Sequence, residues 1–476
     1  MRKFWIVLIA LGLIAAFSMP ASAADVKFSG SYYIQGWYDS NHSLLDTGDA
    51  SAISGRGAAA LYHQRLRVQT EFKVAEGLTL TTRFDALERN WGDRRERNLP
   101  LTGYTTPNTS ATLESVSRNY SAVVPNSTTA GGIQEQGNIE FERVYITANL
   151  PFGQLVAGYA QDIQWGTMFL DTVSTRPQIG LYVPVGPVTV VAKIKKDLEG
   201  GMNGYNGIGM INNSDKDIYD LAAVFKWKGG EAGLLFEYLN GNMYKTTAAA
   251  TSWAQTIYGF FPYFKATLGP VFLEGEAYWG GGDYRKFDVA GVNQTLDTYG
   301  IYLHAMMDLK PVYFGGIFVY MKGDDPKTLD KVEGSIAAGL VAGQAFTPCL
   351  MLWNDPYYTV MGGLAGRTTA AVANNISTQF MDNTTFFQLY VGVKPTPKWD
   401  IVLKGAYATA EQKPIGYVSA DYGYEFDLSA TYKIYDNLSY MIAGGYLVAG
   451  DYFKGTDAGA KLSNDYMVMH QLTLTF

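Results

Sequence analysis

The chain contains little cysteine and little charge. A single cysteine, Cys349, stands among 476 residues, which excludes an internal disulfide framework and a cysteine-rich metal site. Charged residues make up 17% of the chain, against roughly a quarter in ordinary globular domains. The 37 basic and 44 acidic residues give a net charge of −7, so binding to nucleic acid is disfavoured.

Long apolar runs are also scarce, apart from the N-terminus. The first 23 residues are predicted to be a cleaved signal peptide. They contain the basic residues Arg2 and Lys3, an apolar stretch at 4–17 and the small-residue cleavage site Ala21-Ser22-Ala23. Beyond it no run of about eighteen apolar residues occurs, so no membrane-spanning helix is expected. Because no linker-like change of composition divides the rest, residues 24–476 are predicted to form one domain.

Tyrosine and glycine, by contrast, are abundant, with 34 and 52 residues. Both suit twisted strands with aromatic belts at two membrane interfaces. Polar and apolar residues alternate at the C-terminus, where Leu472, Leu474 and Phe476 share one face of a predicted strand. Similar alternation recurs at 26–38, 61–74, 78–89, 137–149, 153–162, 178–185, 187–196, 216–228, 231–242, 254–268, 271–281, 297–309, 312–322, 384–394, 398–409, 421–434, 437–449 and 465–476.

These segments predict an all-β fold, a closed antiparallel transmembrane β-barrel of about eighteen strands. Sixteen is the alternative, because Pro184 interrupts 178–185. The connections alternate between short turns, expected on the periplasmic side, and long extracellular loops, of which 90–136 and 323–383 are the longest. Since an open sheet edge is untenable in hydrocarbon, the strand from Asp465 should pair with the strand from Val26.

Charged residues keep to one face of the predicted strands, and that face must point inward because ionised groups facing lipid are costly. A barrel of this size leaves room for an aqueous channel. Two groups of pore-lining residues would create a transverse field that orients polar solutes; alternatively, each charge solvates the wall or pairs with neighbours. The basic group is Arg65, Arg67, Arg83, Arg143, Lys193 and Lys195, and the acidic group is Glu237, Glu274, Glu276, Glu425 and Asp427.

One long loop is unusually apolar. Residues 337–353, within the predicted loop 323–383, include an Ala/Gly/Leu/Val stretch and the sequence PCLMLW (348–353). Such a loop is expected to fold inward or to pack against the rim or a neighbouring protomer. We hypothesise that it narrows the pore.

Three stretches near the C-terminus carry a family resemblance: YEFDLSATYK (424–433), DNLSY (436–440) and GGYLVAGDY (444–452). With the terminal Phe476, they resemble the outer-membrane porin superfamily, and more narrowly the eighteen-stranded group around the alginate-export proteins and the basic-substrate-type specific porins. The resemblance implies a location in the bacterial outer membrane, contact with its lipid, and Phe476 as part of the signal read by the barrel-insertion machinery. It also implies a homotrimer, as in many general porins.

The function expected from these observations is passive diffusion of small hydrophilic or charged solutes through a porin. The alternatives are a substrate-specific channel for a polysaccharide or organic anion, of the alginate-export type, and a structural or adhesive barrel. Enzymatic activity, a cofactor and a metal are not expected, since the four histidines and the serines lack the context of a catalytic motif. A transporter with an N-terminal plug domain is disfavoured because the first strand follows the signal peptide directly.

Overall fold

The structure, a computed structural model, describes residues 25–41, 44, 46, 58–91, 139–162, 164–171, 175–199, 214–246, 251–289, 291–334, 346–353 and 381–476. The predicted signal peptide and most of the predicted loop 90–136 lie outside these residues. Among the residues described, no helix is long and apolar enough to cross a membrane.

The described residues contain nineteen strands in one sheet, and eighteen of them make up a barrel. In chain order they are β1 (Asp25–Asp39), β2 (Ala59–Ala75), β3 (Leu78–Asn90), β4 (Ile139–Leu150), β5 (Gly153–Gln161), β6 (Thr175–Val185), β7 (Val188–Leu198), β8 (Lys216–Trp227), β9 (Gly230–Gly241), β10 (Trp253–Leu268), β11 (Val271–Phe287), β12 (Gln294–Asp308), β13 (Val312–Met321), β14 (Lys331–Val332), β15 (Thr384–Val393), β16 (Trp399–Thr409), β17 (Asp421–Tyr435), β18 (Leu438–Ala449) and β19 (Asp465–Thr475).

Closure of the ring confirms the predicted fold. Each barrel strand pairs antiparallel with its neighbours in the chain, and β1 closes on β19 with Ser31 opposite Thr475. The doubtful segment at 178–185 is a genuine strand, β6, so the count is eighteen rather than sixteen. Its Pro184 lies beside the turn to β7, where a missing donor disturbs the ladder least. The two-residue β14, parallel to β12, was not predicted.

Connections at the two ends of the barrel differ in length, as the sequence predicts. Two-residue turns join β2 to β3, β6 to β7, β8 to β9 and β10 to β11. Their glycines adopt positive φ, for example 74° at Gly77 and 97° at Gly229, which the tight hairpin turn requires and which other residues rarely adopt. The long connections all lie at the opposite end, here called the loop end.

The outer face of the barrel is apolar. Phe141, Ile179 and Leu389 point outward and are 64%, 59% and 75% exposed. Near the loop end, aromatic pairs such as Tyr62–Trp91 and Tyr407–Tyr424 have ring centroids 5.0 and 4.7 Å apart. Exposed apolar side chains in a continuous band, with aromatic rings toward its edge, are the surface that a transmembrane barrel presents to lipid.

Within the described part of the chain, two stretches of connecting chain fold into the lumen. We call 164–171, between β5 and β6, inner segment 1, and 346–353, between β14 and β15, inner segment 2. Phe169, Met351 and Leu352 are fully buried there. They join an apolar cluster whose other buried members come from β7 to β19 and from loops, and none of the described residues of β1 to β5 belongs to it. Leu350 of inner segment 2 also packs against a smaller cluster of Trp37 (β1), Met469 (β19) and Leu61 (β2). The filling therefore reaches β1 and the loop end of β2, while the rest of the β2–β4 wall is polar.

Candidate functional site

The polar side of the lumen is the wall formed by β2, β3 and β4. Arg67 forms a bidentate pair with Asp85, with Nε to Oδ1 at 2.7 Å and Nη2 to Oδ2 at 2.6 Å. The two residues face each other because a bulge between Lys73 and Ala75 shifts the register of the hairpin by one residue. The two-residue turn alone would place Arg67 opposite Ala86, so this pair could not be read from the turn length.

A bulge in β4 brings a third carboxylate to this wall. Arg83 lies opposite Arg143 and Phe84 opposite Phe141, so Glu142 is the extra residue. Its carboxylate pairs with Arg83 and, at 3.1 Å, with Nη2 of Arg67. The strict alternation assumed in the sequence analysis could not place Glu142 on the inner face.

The remaining basic residues of the wall are held in the same way. Arg65 reaches Glu88 at 3.4 Å and stands over the ring of Tyr33 at 5.2 Å, and Arg143 donates to Oε1 of Gln161. Arg65 and Arg67 remain 23% and 19% exposed. Four guanidinium groups therefore share this wall with the carboxylates of Asp85, Glu88 and Glu142. The same inner face of β2 and β4 also carries Lys73, Glu71 and Glu140, so its basic and acidic groups balance, five against five.

Lys195 occupies a different environment, buried among three carboxylates. Asp220 on β8 and Glu237 on β9 face each other across the sheet. Two negative charges directly opposite each other are destabilising unless a cation lies between them. The Nζ atom of Lys195 lies 3.0 Å from Asp220, 2.7 Å from Glu237 and 3.2 Å from Asp162. The predicted separation into a basic and an acidic side fails here, because Lys195 and Glu237 form an ion pair.

Lys193 lines a polar cavity of 290 Å³ beside inner segment 1. Its ammonium stands 5.9 Å from the ring centroid of Tyr182. Trp165 and Tyr263 line the same cavity, with their rings edge to face at 5.0 Å. The cavity therefore combines two predicted basic residues, Lys193 and Lys195, with three aromatic side chains, and three carboxylates also line it.

Inner segment 1 is fixed to the wall through Glu276. Thr167 donates to Glu276 Oε2 from both its backbone N, at 3.0 Å, and its hydroxyl, at 2.7 Å. Trp165 Nε1 donates to the carbonyl of Phe261 at 2.8 Å. Desolvation by burial raises the pKa of Asp171, at the end of the segment, to about 6. No periodic or apolar signal in the sequence indicated this inward fold.

Inner segment 2 is fixed through Glu425. The backbone N–H groups of Leu350, Met351 and Leu352 all donate to the Glu425 carboxylate, at 2.8, 2.7 and 2.7 Å. Asp427 Oδ2 is 3.3 Å from the N of Leu350. The expectation that 337–353 folds inward is thus confirmed for 346–353; residues 337–345 lie outside the described part of the chain.

The only cysteine of the chain belongs to this contact. Cys349 is buried, and burial raises the pKa of its thiol well above the usual value. Its Sγ and one oxygen each of Glu425 and Asp427 lie within 4.8 Å of one another, a spacing that could hold a cation. Glu425 is already engaged by three backbone donors, so this carboxylate serves to hold inner segment 2.

The two inner segments meet in the lumen. Phe169 of the first and Phe346 of the second contact edge to face, with centroids 5.5 Å apart. Both also contact Tyr302 of β12, which stacks on Phe169 at 5.2 Å and meets Phe346 at 5.4 Å. The segments therefore form an aromatic bridge across the β7–β19 side, and the polar β2–β4 wall lies outside it.

Glu274 lies near the turn end of the lumen, in a chain of hydrogen bonds. Its Oε1 accepts from the Tyr302 hydroxyl at 2.8 Å and lies 3.1 Å from His304 Nδ1. The Nε2 of His304 is 2.7 Å from the Tyr390 hydroxyl. Glu274 and Glu276, two positions apart, thus have separate partners, Glu276 being bound to Thr167.

Phe476 lies at the seam where the barrel closes. Its backbone exchanges two hydrogen bonds with Gly30, at 2.9 and 3.1 Å. A side chain at position 30 would collide with its ring, which lies 2.8 Å from where a Cβ atom would stand. The role of Phe476 in membrane insertion stays a prediction.

No family model matches the chain, and no curated protein matches it. Among solved structures, it is similar to the anion-selective porin of Comamonas acidovorans (10% identity, TM-score 0.44, 95% of this chain and 100% of that chain covered). It is also similar to OccK9 (OpdG) of Pseudomonas aeruginosa, with 12% identity, a TM-score of 0.49, and 95% of this chain and 99% of that chain covered. A third similar structure is OmpT of Vibrio cholerae in its trimer form, with 10% identity, a TM-score of 0.41, and 96% of this chain and 100% of that chain covered.

Likeness at this level carries no argument about solute or assembly. The barrel's own geometry, with eighteen closed strands, an apolar outer band and a charged inner wall, is the architecture that the predicted resemblance to outer-membrane porins implies.

Proposed function

We propose that the protein is a bacterial outer-membrane porin that lets small hydrophilic solutes diffuse through a water-filled passage along the β2–β4 wall. The single observation that carries the proposal is the one-sided filling of the lumen. The apolar cluster takes its barrel strands from β7 to β19, whereas the opposite wall carries charged side chains of both signs, and the guanidinium groups of Arg65 and Arg67 remain accessible to water there.

Ion pairing on this wall does not remove its field. Arg67 and Asp85 form a short bidentate pair, and the five basic and five acidic groups of the inner face leave local fields of both signs. In a lumen bounded by lipid such charges act over the width of the passage. We therefore expect only weak selectivity between small anions and small cations, and salt screens it.

The experiment is a swelling assay with proteoliposomes that contain refolded protein and are diluted into uncharged sugars of increasing size. We expect fast swelling in the smallest sugar and a steep decline with size, because the two inner segments narrow the lumen. Swelling no faster than that of empty liposomes, from protein shown to be folded, would refute the proposal.

A substrate-specific channel for an organic anion is the second candidate. Lys193 beside Tyr182 and Trp165 in a 290 Å³ cavity supports it, since the ammonium can pair with a carboxylate whose apolar body contacts the rings. Two further ammonium groups and three carboxylates line the same cavity, so a small anion would have to lie on the Lys193 side. In the wild type, the flux of such an anion should then saturate as its concentration rises. Saturation that disappears in the variant Lys193→Gln would favour this candidate over free diffusion. The polysaccharide and adhesive alternatives gain no specific support from the described residues.

The partners we propose are outer-membrane lipid, the barrel-insertion machinery and two further copies of the chain in a homotrimer. The apolar outer face supports the first, and the terminal aromatic residue at the seam supports the second. Light scattering of detergent-solubilised protein tests the trimer, because it measures the protein mass of each particle. A mass equal to that of one chain would exclude the trimer.

A further inference from the structure

We propose that inner segment 2 is a movable gate and that Glu425 is the residue that holds it in its docked position. The proposal rests on the channel function proposed above and adds a regulated step to it. It is drawn from how the segment is attached, from the charges at the point of attachment and from what the segment touches.

The attachment is concentrated on one side chain. Three consecutive backbone N–H groups, those of Leu350, Met351 and Leu352, converge on the Glu425 carboxylate at 2.7–2.8 Å. Successive N–H groups that point to one spot form an anion-binding nest, and hydrogen bonds to an ionised acceptor are about twice as strong as neutral ones. Without this carboxylate, the N–H groups of Met351 and Leu352 would lose their acceptor, and that of Leu350 would keep only the longer bond to Asp427 Oδ2 at 3.3 Å.

Other contacts place the segment but do not replace this acceptor. The carbonyl of Pro348 accepts from Gln388 Nε2 at 2.6 Å and from Lys404 Nζ at 3.1 Å. The ring of Trp353 meets Phe386 and Tyr422 edge to face, each at 5.6 Å. None of these contacts supplies the three N–H groups with an acceptor.

Charges at the attachment point also work against permanent docking. Glu425 and Asp427 lie two positions apart on the same inner face and are 1% and 5% exposed. Two buried carboxylates side by side repel each other, and Lys404 supplies a single positive charge nearby. If the segment left the wall, water would solvate both carboxylates, and this solvation would offset part of the free energy needed to undock the segment.

Movement of the segment would change the passage. Phe346 makes half of the aromatic bridge, through Phe169 at 5.5 Å and Tyr302 at 5.4 Å. Inner segment 1 keeps its own attachment to Glu276. Undocking of inner segment 2 would therefore open the β15–β17 side of the lumen and leave the other segment in place.

The chain carries its own reporter of this movement. Cys349 is its single cysteine and belongs to the segment; it is 3% exposed and has a raised thiol pKa. The experiment measures how fast a membrane-impermeant maleimide labels Cys349 in folded protein in vesicles. Burial and a protonated thiol both slow this reaction, so labelling of the wild type should be slow.

Glu425→Gln keeps the size of the side chain, removes its charge and turns an N–H₂ group toward the three donors. We expect labelling at least ~10-fold faster than in the wild type, from the loss of charge-assisted hydrogen bonds, together with a larger single-channel conductance. The matched control is Glu231→Gln, a wall glutamate bonded to Tyr263 and not to the segment, which should label at the wild-type rate. Heat-dependent gel mobility verifies that each variant is folded.

The results separate the gate from the channel. Folded Glu425→Gln that labels at the wild-type rate would overturn the gate, whatever its conductance. Faster labelling with no conductance in either protein would overturn the channel function itself. Faster labelling together with higher conductance is the result that supports both.

Discussion

Lys195 offers the sharpest test of how the inner wall is stabilised. Its side chain is 1% exposed and its ammonium lies within 3.2 Å of three carboxylates that are themselves 2%, 4% and 14% exposed. Lys195→Met would keep most of the volume and leave these carboxylates without the cation. Removing one partner of a buried ion pair costs about 3–5 kcal/mol, and we expect a loss of at least that size in the free energy of unfolding.

The matched control is Lys226→Met on the neighbouring strand β8. Its ammonium is 3.4 Å from Glu231, but its side chain is 68% exposed, so this pair should contribute no more than about 1 kcal/mol. In the double variant Lys195→Met/Asp220→Asn one of the uncompensated charges is removed, which should restore roughly 1–3 kcal/mol.

The assay is urea-induced unfolding of protein inserted in vesicles, followed by tryptophan fluorescence and by heat-dependent gel mobility. If the transitions are two-state, the free energies of unfolding of the wild type, the two single variants and the double variant can be compared. If Lys195→Met lost no more stability than Lys226→Met, the buried ion cluster would not be a source of stability and this reasoning would be wrong.

Three further predictions concern the passage and its assembly. Arg67→Gln should shift the reversal potential in a salt gradient toward cation selectivity and Asp85→Asn toward anion selectivity, since each changes the wall by one charge; equal values would contradict a passage along β2–β4. Phe169→Ala should raise conductance and speed the swelling in larger sugars, because it removes half of the aromatic bridge; an unchanged size cut-off would place the constriction elsewhere. Phe476→Ala should reduce the amount of barrel inserted in the outer membrane of cells, and undiminished insertion would exclude its role as a signal.

Most of the barrel could be predicted from the sequence, because its strands obey simple physics. In a strand with lipid on one side and water on the other, apolar and polar residues must alternate. Tight hairpin turns must contain residues that permit positive φ. All eighteen barrel strands therefore appear near their predicted positions, and even the segment with Pro184 is a strand. The same logic predicted that β1 would close on β19.

The ion pairs could be predicted only in part. Arg67 and Asp85 lie on the two strands of one hairpin, whose short turn indicates that they are near each other, but the bulge between Lys73 and Ala75 sets the register that pairs them. The bulge that brings Glu142 inward breaks the alternation from which the inner face was predicted. Lys195 reaches Asp162 from a different hairpin, and no pattern within one hairpin reports that contact.

The inner segments show the limit of the sequence most clearly. The apolar sequence around Cys349 indicated burial, but its acceptor, Glu425, lies more than seventy residues away in the chain. Inner segment 1 carries no comparable signal, because Thr167 and Gly166 look like ordinary loop residues. The position at which a loop docks inside a barrel depends on wall residues that are distant in the sequence. A single sequence does not show which of these residues the loop will contact.

The most direct test of the central claim is the single-channel conductance of refolded residues 24–476 in planar bilayers. The water-filled passage along β2–β4 predicts stable open steps that scale with the salt concentration. Folded protein that inserts into the bilayer and shows no steps would contradict it, since the lumen would then be a closed core rather than a passage.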